Sequence, residues 1–255
     1  MAAIRDNLQV LMARIARAAA AAGRGAGTVR LLAVSKTHPP ALLEEAFLAG
    51  QSAFGENYVQ EAVHKMDALA GSLGEARARA LEWHLVGPLQ GNKTRIAAER
   101  FAWVHTLSHV KVARRLSEQR PAGLPALNVL IQVNSSAEAS KSGVAPEDVP
   151  TLARVVVQLP RLRLRGLMAV PEPAREAALQ RARFHPVRVL YERLREELTA
   201  QGAAGFAFDT LSLGMSDDLE AAIAEGSPLV RIGTAIFGPR EQGAARASPR
   251  TPLAV

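Results

Sequence analysis

A lysine closes the apolar run Val29-Arg30-Leu31-Leu32-Ala33-Val34-Ser35-Lys36, and Thr37-His38-Pro39-Pro40 follows it. A short apolar run stopped by prolines reads as a buried strand that gives way to a loop at its lysine. A lysine amine in a partly desolvated site loses its proton readily and then attacks carbonyl carbons. The bland alternative is a strand-end lysine snorkelling to solvent. Two glycine and hydroxyl clusters stand far along the chain, Gly214-Met215-Ser216 and Arg231-Ile232-Gly233-Thr234. Backbone N–H groups and small hydroxyls in such turns can surround a phosphate dianion. The same glycines can serve as turns alone, and Ser216 can cap a helix expected over 218–225. Asp217 and Asp218 suit that helix start but would repel a phosphate they faced, so they are expected to point away.

These residues need a scaffold that brings strand ends together. The chain reads as eight short apolar strands alternating with helices. The strands are expected at 29–36, 52–55, 83–87, 103–107, 128–134, 162–170, 210–214 and 229–238. Helices are expected at 41–49, 59–69, from Lys93 to about Arg100, at 110–119, from Pro146 onward, at 174–200 and at 218–225, with 71–80 as a loose segment. An amphipathic helix over 2–22 precedes them, its apolar residues Ile4, Leu8, Leu11 and Ile15 spaced by four, three and four. Alternating βα units build a parallel sheet, and eight of them build a (β/α)8 TIM barrel, whose usual length of about 250 residues suits this chain. An open doubly wound sheet would carry a glycine-rich phosphate loop after its first strand, and Lys36-Thr37-His38-Pro39-Pro40 is not one. The expected organisation is one barrel over 1–238 and a disordered, aperiodic tail over 239–255.

In a barrel, the strand-end residues share one mouth: Lys36, Glu56-Asn57, Gly87-Pro88, Lys141, Met168, Ser216 and Gly233-Thr234. An amine at that mouth and a phosphate site across from it would hold a phosphorylated aldehyde as a Schiff base. Pyridoxal phosphate has that shape, and so do the sugar phosphates of aldolases; residue chemistry leaves both open.

Composition narrows the classes. The 255 residues contain no cysteine, which excludes disulfides, zinc–thiolate sites and thiol catalysis. The first helix is broken by Arg5, Asp6, Arg14 and Arg17, so it is no signal peptide, and no run is long and apolar enough to span a bilayer. A cytoplasmic protein is expected. Net charge is +7, but the arginines are scattered, aromatics make up 4 %, and no basic stripe is interleaved with rings. That argues against a nucleic-acid surface.

The strings Leu32-Ala33-Val34-Ser35-Lys36, Phe54-Gly55-Glu56-Asn57-Tyr58-Val59-Gln60-Glu61 and Trp83-His84-Leu85-Val86-Gly87-Pro88-Leu89-Gln90 resemble the pyridoxal phosphate homeostasis protein family. So do Lys141-Ser142-Gly143-Val144, Arg165-Gly166-Leu167-Met168, Leu211-Ser212-Leu213-Gly214-Met215-Ser216-Asp217-Asp218 and Val230-Arg231-Ile232-Gly233-Thr234-Ala235-Ile236-Phe237-Gly238. The likeness runs in order from about residue 4 to residue 238. One departure is Ser108-His109, where the family more often has an acidic residue. Such proteins are similar to the barrel domain of alanine racemase without its second domain.

The resemblance implies that Lys36 carries pyridoxal 5′-phosphate (PLP) covalently. It matches Ser216, Gly233 and Thr234 to the phosphate and Arg231 to the pyridine nitrogen. Asn57, Lys141 and Met168 would line the ring and its hydroxyl. His84 is expected to pack or to hydrogen-bond rather than to catalyse, and Tyr58 to be pocket wall or helix core. A guanidinium beside the ring nitrogen disfavours its protonation and so weakens the ring as an electron sink. Racemisation also needs an acid or base on each face, and the second face would normally be served from another domain. The function implied is a PLP-binding homeostasis protein that buffers and delivers the cofactor, possible receivers being PLP-dependent apoenzymes. It would be a monomer without ordinary turnover; the alternative is a PLP-dependent amino-acid racemase of fold type III.

Overall fold

The computed structural model describes residues 2–136, 142–200 and 207–239. Its strands are β1 (Arg30–Val34), β2 (Ala53–Glu56), β3 (Glu82–Leu85), β4 (Trp103–Leu107), β5 (Leu127–Gln132), β6 (Leu162–Met168), β7 (Thr210–Ser212) and β8 (Leu229–Ile232). They form a closed parallel barrel in chain order, and β8 pairs β1 through Leu32↔Arg231 and Ala33↔Ile232. The helices are α1 (Ala2–Ala21), α2 (Pro40–Leu48), α3 (Val59–Leu73), α4 (Glu75–Ala78), α5 (Thr94–Arg100), α6 (Val110–Gln119), α7 (Val149–Val156), α8 (Ala177–Ala200), α9 (Leu219–Ala224) and α10 (Thr234–Phe237). The expected (β/α)8 architecture with an added N-terminal helix is the one observed.

The shell is apolar for the reason the pattern gave. Ile4, Leu8, Leu11 and Ile15 of α1 are all buried, and α1 lies against α2, α9 and α10 over the β8–β1 seam. Alternation along short strands sends Leu31 and Ala33 outward to the helices and Leu32 inward. The barrel interior mixes apolar patches with buried polar groups. Leu32, Ala53 and Leu229 form one apolar patch, and Trp103, Leu130 and Met168 form another. Among them stand His84, His105, Ser212 and Arg231, all buried.

Several local expectations are corrected. The eighth strand stops at Ile232, and Thr234–Phe237, read as its continuation, is a helical turn. Its β-branched and aromatic residues carry strand propensity, which a local turn on Gly233 overrides. The helix expected from Pro146 begins at Val149, with Pro150 in its first turn. The loose segment is mostly helical, since α3 runs on to Leu73 and α4 follows. Most strands also end a residue or more short of their expected limits. Residues 240–255, nearly all of the expected tail, lie outside the described residues.

Candidate functional site

Lys36 lies two residues past the end of β1, partly buried. Its turn is gripped on both sides by side chains from α3 and β2. The Lys65 ammonium donates to the Ser35 carbonyl at 2.7 Å, just before Lys36. The Thr37 amide, just after it, donates to Glu61 Oε1. Lys65 also donates to Glu56 Oε1 (2.7 Å) and Glu61 Oε1 (2.6 Å), and the Ser35 hydroxyl donates to Glu56 Oε1 at 2.6 Å. Thr37 is held at φ 67, a left-handed conformation that a β-branched residue adopts only when its surroundings insist. Burial pushes the Glu56 carboxyl up, while Lys65 and Ser35 oppose the shift. Glu56, expected at the mouth, therefore points outward between barrel and helix, where its countercharge is.

Two of the phosphate candidates, Gly233 and Thr234, lie next to Lys36 rather than across the opening, because β8 is the strand that closes onto β1; Ser216 follows β7, one strand further round. At Gly233 a Cβ would sit 2.8 Å from the Val34 carbonyl oxygen, so only glycine lets the β8 end press against the β1 end. Gly233 opens α10, whose first turn presents backbone N–H groups at the partly exposed rim, with Thr234 beside it. Ser216 follows β7 in a loop that starts at Gly214, φ +87. Ser216 does not cap α9; Asp218 occupies the N-cap and turns back on the loop, accepting the Met215 amide at 2.6 Å. Asp217 is exposed. α1 holds both rims: Asn7 Nδ2 donates to the Ile236 carbonyl and Arg14 Nη1 to the Ser216 carbonyl, each at 2.9 Å.

Arg231, on β8 two residues before Gly233, points into the barrel and is 6 % exposed. Nη1 donates to Ser212 O (2.6 Å) and Oγ (2.7 Å), and Nη2 to the Ala169 carbonyl (3.0 Å). These bonds use three of the five guanidinium donors. Burial lowers its pKa to about 10, which leaves it cationic at neutral pH.

Of the other expected residues, Asn57 is partly buried beyond β2, and Met168 is buried at the end of β6 against Trp103 and Leu130. Lys141 lies outside the described residues. Tyr58 is 58 % exposed at the N-cap of α3, so it is not helix core. His84 is buried with both ring nitrogens bonded, to His105 and Glu82, as a hydrogen-bonding role requires. Sequence reasoning missed Lys65, Glu61, His105, Ser212 and Glu82. The available signal was the alternation Glu82-x-His84, which puts two polar groups on one face of a short strand.

A lysine at a strand end, a glycine-opened turn on the adjoining strand and a buried guanidinium below it define a barrel of the PLP-binding class. The donor set suits that cofactor: its aldehyde and phosphomethyl groups occupy neighbouring ring carbons, and Lys36 and Gly233 follow neighbouring strands. Comparison with known proteins agrees. Residues 1–241 match the family model of the alanine racemase N-terminal domain. The chain is 57 % identical over 244 residues to the pyridoxal phosphate homeostasis protein of Pseudomonas aeruginosa, covering 96 % of this chain and 99 % of that one. PipY of Synechococcus elongatus, solved with PLP bound, superposes with a TM-score of 0.72 at 35 % identity, covering 88 % of this chain and 100 % of that one. Alanine racemase of Corynebacterium glutamicum shares the fold, with a TM-score of 0.68 at 18 % identity over 93 % of this chain and 61 % of the racemase. The chain belongs to the pyridoxal phosphate homeostasis protein family, built on the alanine racemase N-terminal barrel.

Proposed function

We propose that this chain binds PLP covalently on Lys36 and serves as a cytoplasmic store and donor of the cofactor, without ordinary catalytic turnover. When bound, PLP supplies an aldehyde that an amine captures reversibly and a phosphate that anchors it. In this reading Ser216, Gly233 and Thr234 hold the phosphate. Arg231 donates toward the pyridine nitrogen, and Asn57, Met168 and Lys141 border the ring. The observation that carries the reading is the β1–β8 seam, which sets Lys36 beside the Gly233–Thr234 turn with the Arg231 guanidinium beneath. The grip of Lys65 and Glu61 on the peptides flanking Lys36 fixes where its amine emerges.

The absence of turnover follows from Arg231. A buried cation beside the ring nitrogen opposes a second positive charge there, so carbanion chemistry on the cofactor is weakly supported. The partners of this reading are PLP itself and PLP-dependent apoenzymes, and the acting form is a monomer. Purified holoprotein should absorb in the visible and show racemase, transaminase and decarboxylase rates far below the usual enzyme scale of about 1 s⁻¹. Turnover at or above that scale would instead make the chain a PLP-dependent racemase or a related enzyme.

A further inference from the structure

Within the barrel a chain of hydrogen bonds runs from the floor to the mouth. Arg30 Nη2 donates to Glu82 Oε1 at 2.9 Å, and the same oxygen lies 2.7 Å from His84 Nε2. His84 Nδ1 lies 2.9 Å from His105 Nε2, and His105 Nδ1 lies 3.3 Å from Ser212 Oγ. Ser212 Oγ accepts from Arg231 at 2.7 Å. The two imidazoles are fully buried. Below them a cavity of about 220 Å³, lined by Arg30, Trp103, Arg165 and Asp209, opens at the barrel floor.

The two ends dictate the direction of every bond between them. Arg231 can only donate, and an ionised Glu82 can only accept. Burial pushes the Glu82 carboxyl up, but the hydrogen bond from His84 and, after it, the Arg30 charge hold it well below its usual range. His84 Nε2 must therefore carry a proton, which leaves Nδ1 as an acceptor in the neutral ring. His105 Nε2 must then donate to it, which leaves His105 Nδ1 to accept from the Ser212 hydroxyl. The Ser212 lone pairs are thereby turned to Arg231. Burial lowers both histidine pKa values, against the pull of Glu82 on His84, and so favours the neutral rings that one-way transmission requires. The charged groups around the two rings are Glu82, Arg30, Arg231 and Arg165, whose guanidinium stacks on Trp103 at 4.7 Å.

We propose that Glu82, His84, His105 and Ser212 are positioning residues for Arg231. They form a single-direction hydrogen-bond column, anchored at the floor by Arg30–Glu82, that sets which guanidinium donors face the mouth. The inference rests on the proposed cofactor reading for its consequence but not for its geometry.

The geometry is tested in cofactor-free protein, by long-range ¹H–¹⁵N correlation spectra of ¹⁵N-labelled imidazoles. Both His84 and His105 are expected neutral and protonated on Nε2 between pH 6 and 8. A ring protonated on Nδ1, or a cationic ring, overturns the column. Glu82→Leu removes the anchoring acceptor, so both rings are expected to switch to Nδ1–H; unchanged tautomers would contradict the proposal. The consequence is tested with Ser212→Ala, which cuts the column just below Arg231. Its histidine tautomers are expected to stay as in the parent. PLP should bind about tenfold more weakly, the loss of one hydrogen bond to a charged group, and the pH at which the cofactor band titrates should move. Binding and titration unchanged beside normal tautomers would mean that the column does not act on Arg231. Should the parent protein bind no PLP at all, the cofactor reading fails, and the tautomers still decide the column.

Discussion

Glu56 and Lys65 are both nearly inaccessible to solvent, and one carboxylate oxygen, Glu56 Oε2, has no hydrogen-bond partner among the described residues. Such a pair contributes little net stability, yet removing one member strands a buried charge. Lys65→Met is expected to destabilise the fold by about 3–5 kcal/mol in urea unfolding. Adding Glu56→Gln, which removes the stranded charge, should recover part of that loss. A double variant as unstable as Lys65→Met would show that the charge is not the cause. At this scale the sequence was informative about backbone chemistry and poor on side-chain partners. Lys36, Arg231 and Gly233 were legible because a strand end, a motif and a glycine mark them. Lys65 was not, because a lysine in an amphipathic helix normally faces water, and only the packed structure shows that Glu56 lies beneath it.

Among the elements, α1 ties the two loops of the proposed phosphate site together through Asn7 and Arg14. Each bond is worth about 0.5–1.5 kcal/mol. The Asn7→Ala/Arg14→Ala variant is therefore expected to weaken PLP binding by about tenfold, measured by titration, with the far-ultraviolet dichroism unchanged. Affinity within twofold of the parent would confine α1 to packing. The burial of α1 was readable from its apolar stripe, whereas its hold on Ile236 and Ser216 was not, since α10 itself was hidden. Thr234-Ala235-Ile236-Phe237 looks like strand by propensity, and it is helical because β8 must end where Gly233 meets Val34.

For the whole molecule, alternation of apolar runs and helices sufficed to give the barrel, because a parallel sheet of eight βα units can bury all its edges by closing. Beyond the Glu82-x-His84 alternation the polar part of the interior was illegible: positions facing the barrel axis come from different strands, and no local pattern relates Glu82, His105 and Ser212. That interior gives the fold a pH dependence. His84 and His105 have folded pKa values below the unfolded value of about 6.5, so their contribution is complete above that pH and is lost as pH falls through it. While the folded rings stay neutral, each costs about 1.4 kcal/mol per pH unit below 6.5. Glu82, also lowered, adds a further loss below about 4.5, whereas Glu56, raised by burial, offsets part of the decline. Thermal midpoints should therefore fall between pH 7 and pH 5, and His105→Gln should flatten that fall. A midpoint independent of pH across this range would refute the buried neutral pair.

Reducing the purified holoprotein with borohydride and mapping the labelled peptide by mass tests the central claim most directly. The account expects the cofactor's mass on Lys36, and no retained label or visible band in Lys36→Arg. Label on another lysine, or a Lys36→Arg protein that keeps its bound chromophore, would contradict it.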